Sequence, residues 1–379
     1  MNEAKKHILI FSTAYLPLIG GAELAVKEIT DRLPEYRFSL VTARIKKELP
    51  TREKIGQIEV FRFGWGWSLD KFLLAVFGAF WASWRFKNDP PAMVWGIMAS
   101  FGGLAASAYK KRTGVPFLLT LQEGDDLTEV EKKARFSFGL FRQIFARADL
   151  VQAISNYLKD WAVRLGATCP IEVIPNGTEI TQGTKCKAQS EIDSNLNHVV
   201  IITTSRLVKK NGVDDLIKAL KFLPTNFGLK IVGIGPEKSK LKKLVSIFGL
   251  GNRVDFVGLV PPEKIFDELM TADIFVRASR SEGLGNSFLE AMSVGLPVVG
   301  TPVGGIPDFL IEGETGWFCE LNNPKSIAEK IKLIADPTNQ ELVGKVTDKA
   351  RCLVEEKYNW DKIARQMDEI FEKLMVEGN

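Results

Sequence analysis

The most constraining feature of this chain is an alternation, run through twice, of short apolar segments with longer amphipathic ones. The segments HILIFS, FSLVTA, IEVFRF, AMVWGIM, PFLLTLQ, LVQAIS and IEVIPN read as strands, several of them as short apolar runs. Strands covered by helices on both faces of a parallel sheet have this pattern. Between the first two, the Gly20-Gly21 turn opens AELAVKEITDRL, whose apolar residues recur at helical spacing, and a further helix is expected from about Ser155 to Leu165. Parallel neighbours cannot be joined by a hairpin and need a crossover, so this order predicts βαβ units. Residues 177–196 are polar, lack an apolar period and read as a linker. The alternation then restarts with HVVIITTSR, GVDDLIKALKFL, LKIVGIG and KSKLKKLVSIFGL. VDFVG, a helix near 262–270, IFVRAS, a helix near 287–294, PVVGT and GWFCE continue it, and helices over 324–335 and 340–356 close the unit. The final WDKIARQMDEIFEKLM is again helical in spacing. The expectation is two doubly wound α/β domains with a cleft between them, within residues 1–176 and 198–357, joined by a linker at 177–197.

Length agrees, since 379 residues at roughly 150 per domain give two to three domains. A net charge of +4 is too balanced for a nucleic-acid binder, and none is expected as a partner. The charge is uneven, at +5 over 1–200, +7 over 201–250 and −8 over 251–379. A local basic block suits a small anionic ligand better than a long polyanion, although solvated helix faces would look the same. His7 and His198 are the only histidines and read as ordinary strand-edge residues, which leaves no His-based triad or multi-His metal site. Cys169, Cys186, Cys319 and Cys352 are isolated, with no C-x-x-C, and fit a reducing compartment. Residues 1–7 lead straight into a strand, so no secretory leader is expected.

One segment stands apart. FLLAVFGAFWASWRF, residues 72–86, is apolar at 12 of 15 positions, too short for a membrane span of about 20 residues. It reads first as a helix buried in the first domain. The alternative is contact with a membrane surface through 71–87, flanked by Lys71, Arg85 and Lys87, together with the Phe- and Arg-rich 135–148.

Two constellations carry chemistry. In SEGLGNSFLEAMSVGLPVVGTPVGG, a loop holding Gly283 and Gly285 leads into a helix that starts near Asn286 or Ser287. Backbone N–H groups and the helix dipole at such a start form an anion site. Glu282 precedes the helix and Glu290 lies in its first turns, so both carboxylates can face one ligand there and accept from sugar or ribose hydroxyls. The plain alternative is a capping Glu and a surface Glu. In TSRLVKKNGVDD, Arg206, Lys209 and Lys210 follow the first strand of the second domain, at the carboxyl end where open α/β sheets bind ligands. They could hold a diphosphate or be a solvated turn. Gly233-x-Gly235-Pro236 lacks the third Gly of a dinucleotide fingerprint and reads as a loop lining the cleft.

Glu282-x7-Glu290 with its glycines, SRLVKKNG, IVGIGPE, RVDFVGLVP and the Gly20-Gly21 loop, in this order, resemble the retaining glycosyltransferases of family 4. The resemblance spans essentially the whole chain. It implies a GT-B fold, two Rossmann-like domains facing each other across a cleft, with the C-terminal segment 358–379 returning to the first, acceptor-binding domain. It implies a nucleoside-diphosphate sugar as donor (UDP-, GDP- or ADP-linked), a glycan or lipid-linked acceptor, no cofactor and no metal; Asp125-Asp126 is not the metal-binding D-x-D. By the same resemblance, Arg206 and a nearby lysine hold the diphosphate and Glu282 contacts the donor sugar. Glu290 contacts the ribose, and the backbone of Gly283, Leu284, Gly285, Asn286 and Ser287 holds sugar and phosphate. Gly235 lines the site, Val257, Gly258 and Leu259 lie near the base, and Gly20 and Gly21 face phosphate and acceptor.

Two departures stand out. The family lysine five residues after the arginine is Asn211 here, with Lys210 one position earlier as the substitute. Where many members carry a His-Asp pair, this chain has Gln122 and Glu123 in LTLQEGDD. Gln122 would be a hydrogen-bonding group, and Glu123 or Asp125 could orient the acceptor. The expected activity is hexosyl transfer with retention, metal-independent, at the cytoplasmic face, either free or peripheral on the membrane. The alternatives are a GT-B nucleotide-sugar epimerase and a non-catalytic nucleotide- or carbohydrate-binding protein. A glycogen-type phosphorylase would need a longer chain, and an NAD dehydrogenase a complete G-x-G-x-x-G.

Overall fold

The first strand, β1 (His7–Ser12), is buried at every residue, as are β5 (Met93–Ile97), β6 (Phe117–Leu121) and β7 (Leu150–Ala153). Burial on both faces follows from their mostly apolar sequence, and the polar Thr120 and Gln152 are buried with it. The computed structural model describes residues 5–134, 138–180 and 198–377. Cys186 and the expected linker from residue 181 onward lie outside the described residues.

Together with β2 (Arg37–Ala43), β3 (Arg52–Ile55), β4 (Ile58–Phe63) and β8 (Ile171–Val173), these strands form one sheet in the order β3-β4-β2-β1-β5-β6-β7-β8. Every neighbouring pair is parallel except β3–β4. Strand β3 is not among the expected elements, and its residues REKI alternate between exposed and half-buried on the sheet edge. His7 is the first residue of β1, at the strand end where the sequence places it, and is buried because β1 lies between β2 and β5. Its Nε2 lies 3.0 Å from Ser39 Oγ, and burial, helped by the Arg37 charge, lowers its pKa to about 4.

The chain forms two compact units, Met1–Asn176 with Trp360–Asn379, and Gly177–Asn359. The C-terminal helix, Trp360–Glu377, thus packs on the first unit. Phe371 is fully buried there, edge-on to Trp95 at 5.2 Å and Tyr36 at 5.8 Å. The Tyr36 hydroxyl donates to Asp368 and Glu372 at 2.5 and 2.8 Å.

Helix α1 (Gly21–Asp31) follows β1, while α2 (Asp70–Arg85) packs on α3 (Phe101–Thr113). The expectation that 72–86 is simply buried needs correction. Leu74, Gly78, Ala79 and Ala82 are buried, but Phe72, Val76, Phe80 and Trp84 are exposed, Trp84 at 70%. Each fourth residue of the exposed series falls on one stripe, opposite the small residues that let α2 approach α3.

In the second unit, β9 (Val199–Thr204), β10 (Phe227–Val232), β11 (Val254–Gly258), β12 (Ile274–Arg277), β13 (Val298–Gly300) and β14 (Trp317–Phe318) form a parallel sheet. Its order is β11-β10-β9-β12-β13-β14, the doubly wound arrangement, which reverses between β9 and β12. In the first unit the reversal falls between β1 and β5. Ligand crevices are expected at the carboxyl ends of those strands.

Candidate active site

At the second reversal point, β9 runs into Arg206 and then a turn over Lys209–Asn211. Gly212 closes this turn at φ +64, and a Cβ there would sit 1.8 Å from the Ala278 carbonyl oxygen. Only glycine lets the loops after β9 and β12 touch. Arg280 fastens the same contact. Its backbone N–H donates to the Lys210 carbonyl at 2.6 Å, and its guanidinium pairs with Asp214 at 2.9 Å and with Asp215.

Beyond β12, Glu282 leads through Gly283–Gly285 to the helix Asn286–Ser293. The helix is capped by Gly285 at φ +101, so no side chain of the cap residue covers its first N–H groups. Leu284 turns its side chain into the core, leaving only backbone to a ligand.

The centre of this cluster is a residue the sequence reading did not single out. Arg277, the last residue of β12, pairs with Glu282 Oε2 at 2.7 Å, and both side chains are nearly buried. It also donates to Ser287 Oγ at 2.6 Å, Asn211 Oδ1 at 3.1 Å and Ser279 Oγ at 3.1 Å. In the sequence it is one basic residue in the strand-like IFVRAS; its place at the strand's carboxyl end is the only signal that marks it. Burial raises the Glu290 carboxyl to a pKa of about 7, with the Arg277 charge pulling the other way.

The other expected residues spread along the sheet. Arg206 and Lys209 are exposed and Lys210 is half-buried. Asn211 is buried and donates to the Arg206 carbonyl at 2.7 Å. Gly235 lies against the loop after β9, where a Cβ would meet the Leu207 carbonyl oxygen at 2.3 Å. Val257 and Gly258 end β11, the edge strand beyond β10, and Leu259 is exposed.

The first unit has its own constellation. Glu123, just after β6, is buried and accepts from the Ala99 N–H at 2.5 Å. Its Oε2 is buried with no hydrogen-bond partner among the described residues. Thr13 and Ser100, at the ends of β1 and β5, hydrogen-bond at 2.9 Å, and Thr13 also accepts from Gly102 N–H. Neither was marked by the sequence. Gln122 accepts from Asn176 Nδ2 at 3.1 Å; Gly20 caps α1 and Gly21 begins it.

Burial raises the Glu123 pKa from 4.5 to about 7. The folded chain therefore holds a proton that the unfolded chain has released, and stability falls as pH rises from about 4.5 through 7. Glu123→Gln is expected to remove this slope. His7, shifted the opposite way, is common to both proteins, so the wild-type-minus-variant melting difference isolates Glu123. That difference should move against wild type between pH 5 and 8, and an unchanged difference refutes the assignment.

Residues 19–182 match the model for Glycosyltransferase Family 4, and residues 185–351 the model for Glycosyl transferases group 1. The chain is a glycosyltransferase of this family. An uncharacterized glycosyltransferase of Methanocaldococcus jannaschii is 27% identical over 98% of this chain and 99% of its own. A GDP-mannose-dependent monoacylated phosphatidylinositol monomannoside mannosyltransferase of Corynebacterium glutamicum is 25% identical over 97% and 98%. Among solved structures, sucrose-phosphate synthase from Thermosynechococcus elongatus superposes with a TM-score of 0.86 at 19% identity, covering 98% of this chain and 100% of the other. HepE from Anabaena, in complex with UDP-glucose, gives 0.77 at 19% identity, over 97% and 99%. These likenesses establish the GT-B fold of the glycosyltransferase, two parallel-sheet α/β domains.

Proposed function

We infer that this glycosyltransferase moves a hexose from a nucleoside-diphosphate sugar to a glycan or lipid-linked acceptor, with retention and without a metal. The observation that carries the reading is the meeting, at one reversal point, of an open helix start, the Arg277–Glu282 pair and the half-buried Glu290. The helix start and Gly283–Ser287 backbone suit a diphosphate, with Arg206 and Lys210 as cations that stabilise the charge growing on the leaving group. Glu282 accepts from the donor sugar and Glu290 from the ribose. Val257, Gly258 and Leu259 lie toward the base, and Gly20, Gly21, Gln122 and Glu123 toward the acceptor. The acceptor hydroxyl forms the new bond to the anomeric carbon on the face the diphosphate leaves. Its proton passes to the departing phosphate oxygen, so no histidine base is needed. Among the described residues there is no group of three or more His, Cys, Asp or Glu that could hold a metal ion.

A thermal-shift panel of UDP, GDP and ADP with their sugars tests the donor class, because a bound ligand raises the melting temperature. One nucleotide series should stabilise the chain and do so equally in EDTA. No shift from any of them refutes the reading.

The exposed stripe of α2 favours an acceptor at a membrane. No described helix is long and apolar enough to cross one. The stripe is rimmed by cations, with Lys71 over Phe72 at 5.4 Å, Arg112 over Phe80 at 5.0 Å and Lys47 over the exposed Trp67 at 5.6 Å. Aromatic side chains ringed by Lys and Arg fit an anionic bilayer surface, and the inner face is where we place the enzyme. The chain should co-sediment with phosphatidylglycerol vesicles at low salt, and Val76→Glu/Phe80→Glu should weaken this about tenfold or more. Failure to bind anionic vesicles overturns the membrane contact.

A further inference from the structure

Asn211 and Arg277 form a pair whose two members explain each other. The Asn211 side chain is buried and neutral, donating to the Arg206 carbonyl and accepting from Arg277 at 3.1 Å. A lysine at 211 would place a second cation against the guanidinium in a site with little water, which is costly. A leucine at 277 would leave Asn211, Ser287 and Glu282 without their shared donor. Each residue type therefore fits only while the other is present.

The guanidinium is also placed for more than structure. Three of its five N–H groups donate to Ser279, Ser287 and Asn211, and its Nη2 also forms an ion pair with Glu282 at 2.7 Å. Nη1 makes one hydrogen bond among the described residues, to Ser287, which leaves its second N–H for a ligand. The same Nη1 donates to Ser287, at the open helix start, while Nη2 holds Glu282. One planar fork thus spans the group facing the anion and the group facing the sugar, a task a lysine cannot perform.

We propose that Arg277 supplies to the donor diphosphate the positive charge that Asn211 does not, and at the same time positions Glu282 for the sugar. This rests on the donor reading above. Arg277 then stands at this position for the cation that Asn211 lacks, and Lys210, whose carbonyl accepts from the Arg280 N–H, keeps the leaving-group role given above.

Calorimetric binding of the nucleoside diphosphate chosen by the thermal-shift panel, on the full chain, tests the pair. Arg277→Leu should weaken nucleoside diphosphate binding about 30- to 100-fold and leave binding of the bare nucleoside within about threefold. Asn211→Lys alone should also weaken it, by setting two cations together. The double variant Asn211→Lys/Arg277→Leu should bind at least about tenfold more tightly than Arg277→Leu. Arg277→Lys keeps the charge and loses the fork, so it should bind the diphosphate within about fivefold of wild type while kcat falls about 30-fold or more. Should Arg277→Leu fail to fold, Arg277→Lys and Asn211→Lys carry the test. Unchanged diphosphate binding in Arg277→Leu, no recovery in the double variant, or an unchanged kcat in Arg277→Lys overturns the proposal. Absence of diphosphate binding in the wild type would instead refute the donor reading.

Discussion

Glu282→Gln is expected to lower kcat/KM for transfer by about 100- to 1000-fold, equivalent to roughly 2.7–4 kcal/mol of transition-state stabilisation. Gln has nearly the shape of Glu, so the loop Gly283–Gly285 and the helix behind it should survive the change. What is lost is charge. As a carboxylate, Glu282 pairs with Arg277 at 2.7 Å, and in the proposed donor complex it also accepts from a sugar hydroxyl on the ligand side. With only 12% of the side chain exposed, its hydrogen bonds are worth more than they would be in water. The amide presents an N–H₂ either to Arg277, which clashes with its donors, or to the sugar, which loses its acceptor. Removing one partner also strands the nearly buried Arg277 charge, and a stability loss of about 1–3 kcal/mol should accompany the change. The two effects separate cleanly in a melt and a rate measurement on the same sample. Activity within fivefold of wild type would remove Glu282 from the sugar site.

Most of the fold was legible because burial on both faces leaves a mark that needs no partner to be read. Strands β1, β5, β6 and β9 each carry a run of at least three consecutive apolar residues, a pattern that an amphipathic helix lacks. The edge strand β3 lacks it because half its residues face water. For α2 the count of apolar residues misled, since it measures total apolarity and not direction. The information was in the spacing: Gly78, Ala79 and Ala82 mark the packed face, while Phe72, Val76, Phe80 and Trp84 are too bulky for so close a helix contact. In the site, Glu282 and Glu290 were legible because a local loop-helix pattern carries them. Arg277 was not, because its partners Asn211 and Ser287 come from separate loops that only the parallel sheet brings together. Thr13 and Ser100 escaped for the same reason, on the other side of a βαβ crossover.

That dependence on loop-to-loop contact makes Gly304→Ala the second large effect. Gly304 follows β13 at φ +58, and a Cβ there would lie 1.7 Å from the Glu282 carbonyl oxygen. Next to it, Gly305 N–H donates to that same oxygen at 3.3 Å. An alanine pays for the left-handed backbone, about 1–2 kcal/mol, and must also push the Glu282 peptide away. Together these should cost about 2–4 kcal/mol of stability, with transfer falling about 100-fold because the carboxylate is carried off its sugar. Gly313 gives the internal comparison. It sits at φ +69 in the same unit, yet a Cβ there meets nothing within 4 Å. Gly313→Ala therefore bears the backbone strain alone and should cost about 1–2 kcal/mol with transfer unchanged. Equal losses of activity in the two variants would mean that strain, and not the approach of the loop to Glu282, limits the enzyme. A loss confined to Gly304→Ala ties the position of the Glu282 carboxylate to a contact made by a backbone with no side chain at all.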